Sequence, residues 1–165
     1  MKHVLVAAMC VTSAACLSAQ QVAQSATAGP QKGHVIVAVP NAIQWGPAPD
    51  ILPAGARAVI LEGNPGNPGD FTLRLLLPAN YRIAPHYHPV TEHVTVISGT
   101  FYVGMGEAFD VSKGTELPAG TFAALDPGMR HFAYTKTETV IQLHGVGPWS
   151  LVYVNPADDP RNKAK

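Results

Sequence analysis

The chain has 165 residues, enough for one domain and short for two. It carries 11 Lys and Arg against 11 Asp and Glu, and only 13% of its residues are charged, where about 25% is usual. With no basic surplus it is not built to hold nucleic acid, and with 47% hydrophobic residues it has the material for a packed core.

Residues 1–19 read as a secretory signal peptide. Lys2 gives a short positive start, Val4 to Leu17 is apolar or small, and Leu17-Ser18-Ala19 places cleavage after Ala19. The expected location is therefore periplasmic or secreted. Ser13-Ala14-Ala15-Cys16 also resembles a lipobox, which would instead keep Cys16 as a lipidated N-terminus. Cys10 and Cys16 are the two cysteines of the chain. The rest of the chain thus has no disulfide, no thiolate nucleophile and no thiolate metal site. No later segment reaches ~18 apolar residues, so no membrane span is expected. Residues 20–33 are mainly Gln, Ala, Ser, Thr and Gly and read as a flexible linker.

From His34 onward the pattern is strand-like, and one all-β domain is expected over residues 34–155. His34 to Val39 is rich in β-branched residues and stops at Pro40. Ala58 to Leu61 follows, then two turn signals in Asn64-Pro65-Gly66-Asn67-Pro68-Gly69. Phe71 to Leu77, Tyr81 to Tyr87 and Glu92 to Ile97 read as strands. Ser98-Gly99 is a tight turn into Thr100 to Met105, and residues 107–113 read as one helical turn. Thr121 to Leu125, His131 to Thr135, Val140 to His144 and Leu151 to Val154 complete about ten short strands. Such regular spacing with almost no helix points to a sandwich or barrel. Residues 156–165 form a polar surface tail.

Five histidines fall between residues 86 and 144. In Pro85-His86-Tyr87-His88-Pro89-Val90-Thr91-Glu92, strand alternation points His86 and His88 the same way. Glu92 follows a short turn and can return to the same point from the next strand. His131 follows a turn at Pro127-Gly128. Three His and one Glu form a donor set suited to Fe, Mn, Ni, Cu, Co or Zn. His93 faces away from an inward Glu92. Val140, Gln142 and His144 share one strand face: if it is interior, Gln142 and His144 are candidates to bond a substrate or a ligand carboxylate, and if exterior they are surface residues. Tyr81, Tyr87, Phe101, Phe122 and Trp149 read as core or pocket wall.

His86-x-His88-x3-Glu92-x6-Gly99 resembles the first sequence motif of the cupin superfamily, with Asn80 in place of its leading Gly. Gly120, Gly128 and His131 resemble three fixed points of the second motif, where Asp126 replaces a Pro and Thr135 an Asn. The likeness spans roughly residues 55–155 and is of the small single-domain type. Trp45-Gly46-Pro47-Ala48-Pro49 and Leu52-Pro53-Ala54-Gly55-Ala56 add a narrower likeness to ChrR-like and acetylacetone-dioxygenase-like cupins. The resemblance implies an antiparallel jelly-roll barrel, a divalent metal ion held by His86, His88, Glu92 and His131, and a homodimer. It implies a small-molecule ligand and leaves three activities open. These are an oxygenase of a small carbonyl or phenolic compound, a non-redox isomerase or lyase, and a non-catalytic sensing or storage module. No nucleotide loop or serine nucleophile competes with the metal as a source of chemistry.

Overall fold

The computed structural model describes residues 36–162. The expected signal peptide and linker, both cysteines and His34 lie outside the described residues.

Among the described residues, eleven strands build two antiparallel sheets. They are β1 (Gly46–Pro47), β2 (Arg57–Glu62), β3 (Gly69–Leu77), β4 (Arg82–Tyr87), β5 (Glu92–Ser98), β6 (Thr100–Met105), β7 (Thr115–Pro118), β8 (Phe122–Leu125), β9 (His131–Thr135), β10 (Thr139–Gly147) and β11 (Val152–Tyr153). One sheet has the order β1-β2-β3-β10-β5-β8 and the other β11-β4-β9-β6-β7. Among the described residues, helix is confined to four single 3-10 turns. The fold is an all-β, jelly-roll arrangement, as the strand spacing and the motifs implied.

Alternation decides which side of each strand is core. On β3, Phe71, Leu73, Leu75 and Leu77 are buried, with partly exposed residues between them. Their partners Ile141 and Leu143 on β10 and Val94 and Val96 on β5 face the same interior. A fully buried aliphatic side chain of this kind contributes about 1.5–3 kcal/mol. A second, smaller cluster of Tyr102, Phe132 and Tyr134 lies on the opposite face of β6 and β9, covered by Phe109. Gly104 belongs to this packing, because a Cβ there would overlap the Phe132 ring.

One expectation changes, and the structure adds detail at two other places. Residues 36–39 form no strand, and Val37 is 75% exposed. β-branched residues favour a strand only where a neighbour supplies the ladder, and Pro40 turns the chain into a 3-10 turn instead. The short strands β1 and β7 were not foreseen; both are edge strands, pairing with β2 and β6. The C-terminal segment expected as a polar surface tail carries 3-10 turns at Pro156–Asp158 and Pro160–Asn162. The turn expected in residues 107–113 is present as Val111–Lys113, capped by the Asp110 carboxylate on the Ser112 N–H.

Candidate metal centre

His86 and His131 are register partners on the adjacent strands β4 and β9. The ladder between those strands shifts between Ile83 and His86, the stretch that holds Pro85. Proline has no N–H to give the ladder, and such residues sit at irregularities. The shift lets both Pro85 and His86 be buried in succession and brings His86 opposite His131. His88 follows just beyond β4. A short turn then leads to Glu92, the first residue of β5 in the other sheet. Gly128, with φ +78°, makes the turn ahead of His131, and its N–H donates to the His88 carbonyl at 2.9 Å.

His86, His88, Glu92 and His131 are all buried. One ring nitrogen of each of the three histidines lies within 4.8 Å of the others. The His86 and His131 ring centroids are 4.2 Å apart. The Glu92 Oε2 is 3.3 Å from His88 Nε2 and 3.8 Å from His131 Nε2. Each imidazole is held the same way. The Nδ1–H of His86 donates to Ala84 O at 2.8 Å, that of His88 to Ser150 O at 2.8 Å, and that of His131 to Met129 O at 2.9 Å. A carbonyl can only accept, so the proton is fixed on Nδ1 and the lone pair lies on Nε2.

Electrostatics favour neutral rings at two of the three positions. Burial, then the neighbouring His131 and His88, hold His86 well below the ordinary imidazole range. Burial likewise lowers His131. Burial would lower His88 too, but the Glu92 carboxylate beside it leaves its value raised.

These residues fit a divalent transition ion. Bonds of about 2.1 Å to imidazole nitrogens span donors up to about 4.2 Å apart, which is the scale of the cluster. The His88 Nε2 is buried and makes no hydrogen bond; its 3.3 Å approach to Glu92 lacks hydrogen-bond geometry. A buried lone pair without a donor is what a metal-ligating imidazole presents. The centre opens on a cavity of about 20 Å³, room for about one water. Its remaining wall is apolar, including Leu75, Val94, Phe101 and Leu143, and Trp149 stacks on His88 at 4.9 Å and 17°.

The other candidates lie elsewhere. Gln142 and His144 alternate with the inward Ile141 and Leu143, so they occupy the outer face of β10. Gln142 accepts from Arg74 Nε at 3.0 Å. His144 stacks on His93 at 4.8 Å and 15°. Both therefore leave the interior alternative, because strand parity opposes it. His93 faces out as expected. Phe122 is 57% exposed and is not pocket wall; it stacks on His93 from β8. Tyr81 and Phe101 are core, and Trp149 is pocket wall as expected.

No family model and no curated protein matches the sequence. Solved structures do match. The polyketide cyclase RemF from Streptomyces resistomycificus has a TM-score of 0.63 at 14% identity, covering 77% of this chain and 90% of that one. An acetylacetone dioxygenase from Acinetobacter johnsonii has a TM-score of 0.58 at 15% identity, covering 80% and 85%. An RmlC-like cupin from Shewanella frigidimarina has a TM-score of 0.50 at 15% identity, covering 67% and 90%.

Proposed function

We propose that this cupin-fold chain is an exported, metal-dependent oxygenase of a small carbonyl or phenolic compound. The observation that carries the reading is the set of three imidazoles pinned through Nδ1, with Glu92 beside them, in an apolar wall. His86, His88 and His131 would bind the ion through Nε2, and Glu92 through its carboxylate. A divalent first-row ion held there supplies Lewis acidity toward a carbonyl or enolate and, where redox-active, a route to O2.

The protein's own contribution is placement. The three carbonyls fix the rings and the tautomer before any ligand arrives. Glu92 brings the one carboxylate of the cavity wall and offsets part of the ion's charge. The hydrocarbon wall excludes bulk water, which strengthens electrostatic interactions inside. The structural likeness to an acetylacetone dioxygenase is compatible with this reading and shows fold alone.

The test is O2 uptake by the Fe(II)-loaded protein over a panel of β-diketones, hydroxyacetophenones and catechols. Uptake above that of a His86→Ala control supports the reading, and its absence with metal bound overturns it. A second reading, metal binding without turnover, is favoured by the cavity of only about 20 Å³; it requires tight binding of metal or ligand with no product. Export and pairing of two copies belong to the same proposal. Intact mass of the exported protein, and light scattering on a sizing column, test them.

A further inference from the structure

The wall of the metal centre has two unlike members. All the residues lining it are buried except Val103 and Trp149, which are half-buried and so stand between the cavity and solvent. Val103 lies within β6, paired with Ala133 on one side and Thr115 on the other. Ladders on both flanks hold it in place. Trp149 lies between β10 and β11, outside either strand. Its backbone N–H donates to Pro65 O at 2.6 Å, and the carbonyl of the next residue, Ser150, takes the His88 Nδ1–H. The indole stacks on the His88 ring and tilts against Phe71 with centroids 6.1 Å apart.

Its chemistry is equally distinct. The Trp149 Nε1–H is shut from solvent and has no partner among the described residues. Apart from the three histidines, no other lining side chain carries an N–H or O–H. Buried donors are normally satisfied. The cavity holds about one water as it stands, so a ligand of several heavy atoms needs a wall residue to move.

We infer that Trp149 is the specificity-determining residue of this centre: its indole gates entry beside His88, and its N–H binds an acceptor on a ligand whose body is otherwise apolar. The inference rests on the reading that the three histidines and Glu92 hold a metal. Bulk sets the rate of entry and the N–H sets part of the affinity, so the two roles separate by substitution. A polyhydroxylated ligand is disfavoured, because one donor and hydrocarbon walls leave most of its hydroxyls unpaired.

The test uses the full exported chain loaded with Co(II), whose visible spectrum reports ligands, and 2-hydroxyacetophenone and dihydroxyacetone as probes in stopped-flow and equilibrium titrations. Trp149→Phe keeps a ring at the gate and loses the N–H; it should weaken 2-hydroxyacetophenone about five- to tenfold, the scale of one neutral hydrogen bond, with little change in entry rate. Trp149→Ala should raise the entry rate tenfold or more. Val103→Ala should speed entry less than Trp149→Ala does, and dihydroxyacetone should bind weakly throughout. Equal affinity in wild type and Trp149→Phe overturns the inference. So does faster entry in Val103→Ala than in Trp149→Ala, or dihydroxyacetone binding as tightly as 2-hydroxyacetophenone. Cobalt content is measured separately: a wild type that retains none overturns the metal reading and this inference together, whereas retained cobalt with insensitive Trp149 variants overturns this inference alone.

Discussion

The barrel carries two sets of histidines, one on each side of its wall, and they behave as different chemical groups. Inside, His86, His88 and His131 are at most 3% exposed and each is pinned through Nδ1 to a carbonyl. Outside, His93 and His144 stack on one another and on Phe122, beside a cleft that also holds Glu62 and Asp70. The outer pair has only one long contact, His93 Nδ1 to His144 O at 3.3 Å. Imidazole count alone does not make a metal site. Convergence of lone pairs, fixed tautomers and exclusion of water are what such a site requires, and of the two sets the inner one has all three.

The largest expected effect breaks the inner set. His86→Ala removes one of three converging nitrogens and leaves its register partner His131 facing a gap. Metal content after desalting should fall from near stoichiometric to below about a tenth, because a single lost shell interaction already costs about 10–100-fold. Retention of full metal content in His86→Ala, measured by elemental analysis, would remove His86 from the ligand set.

Glu92→Gln is the milder change, since it keeps shape and removes charge. The carboxylate lies within 4 Å of two ring nitrogens, so its loss should weaken metal binding by about tenfold or more. A competition titration against a chelator of known affinity reads this directly. An unchanged affinity would place Glu92 outside the shell.

A third contrast is in pH. In the metal-free protein His86 and His131 titrate below their ordinary value of 6.5. The unfolded chain then binds more protons than the folded one below about pH 6.5, so their contribution to stability is present above that pH and lost as pH falls. His88 is shifted upward by Glu92 and acts in the opposite sense, but one raised group is set against two lowered ones. Thermal melting of the metal-free protein should drop between pH 7.5 and 5.5, and His86→Phe should flatten the change. A melting temperature that rises on acidification contradicts the sign.

The sequence showed most of the inner set. The single residue Tyr87 between them put His86 and His88 on one side, the turn at Pro89 returned the chain at Glu92, and the glycine turn placed His131 at a strand start. What it could not show depends on distant partners. The carbonyl that pins His88 belongs to Ser150, 62 residues away, and Trp149 reaches His88 only through the pairing of β11 with β4. Alternation also left Gln142 and His144 undecided, because a strand has two faces and its neighbours choose between them. Register with Arg74, Thr72, Thr95 and His93 settles that choice. The failed strand at 36–39 teaches the converse. Its side chains favour extended structure, but no described strand lies against it.

The smallest expected effect tests the outer pair. His93 adjoins Glu92 on β5, and His144 is its register partner and stacks on its ring. Any influence of the outer face on the metal would travel by this short route. Strand parity argues against it: Val94 and Leu143 fill the inner face beside the pair, and no outer imidazole nitrogen enters the inner cluster. His144→Phe keeps a flat ring for the stack and removes both ring nitrogens. Metal affinity should stay within about twofold of wild type, the scale of a surface change of less than 0.5 kcal/mol. A loss of tenfold would show that the outer stack helps to set the position of Glu92, and the division of the wall into an active and an inert face would fail with it.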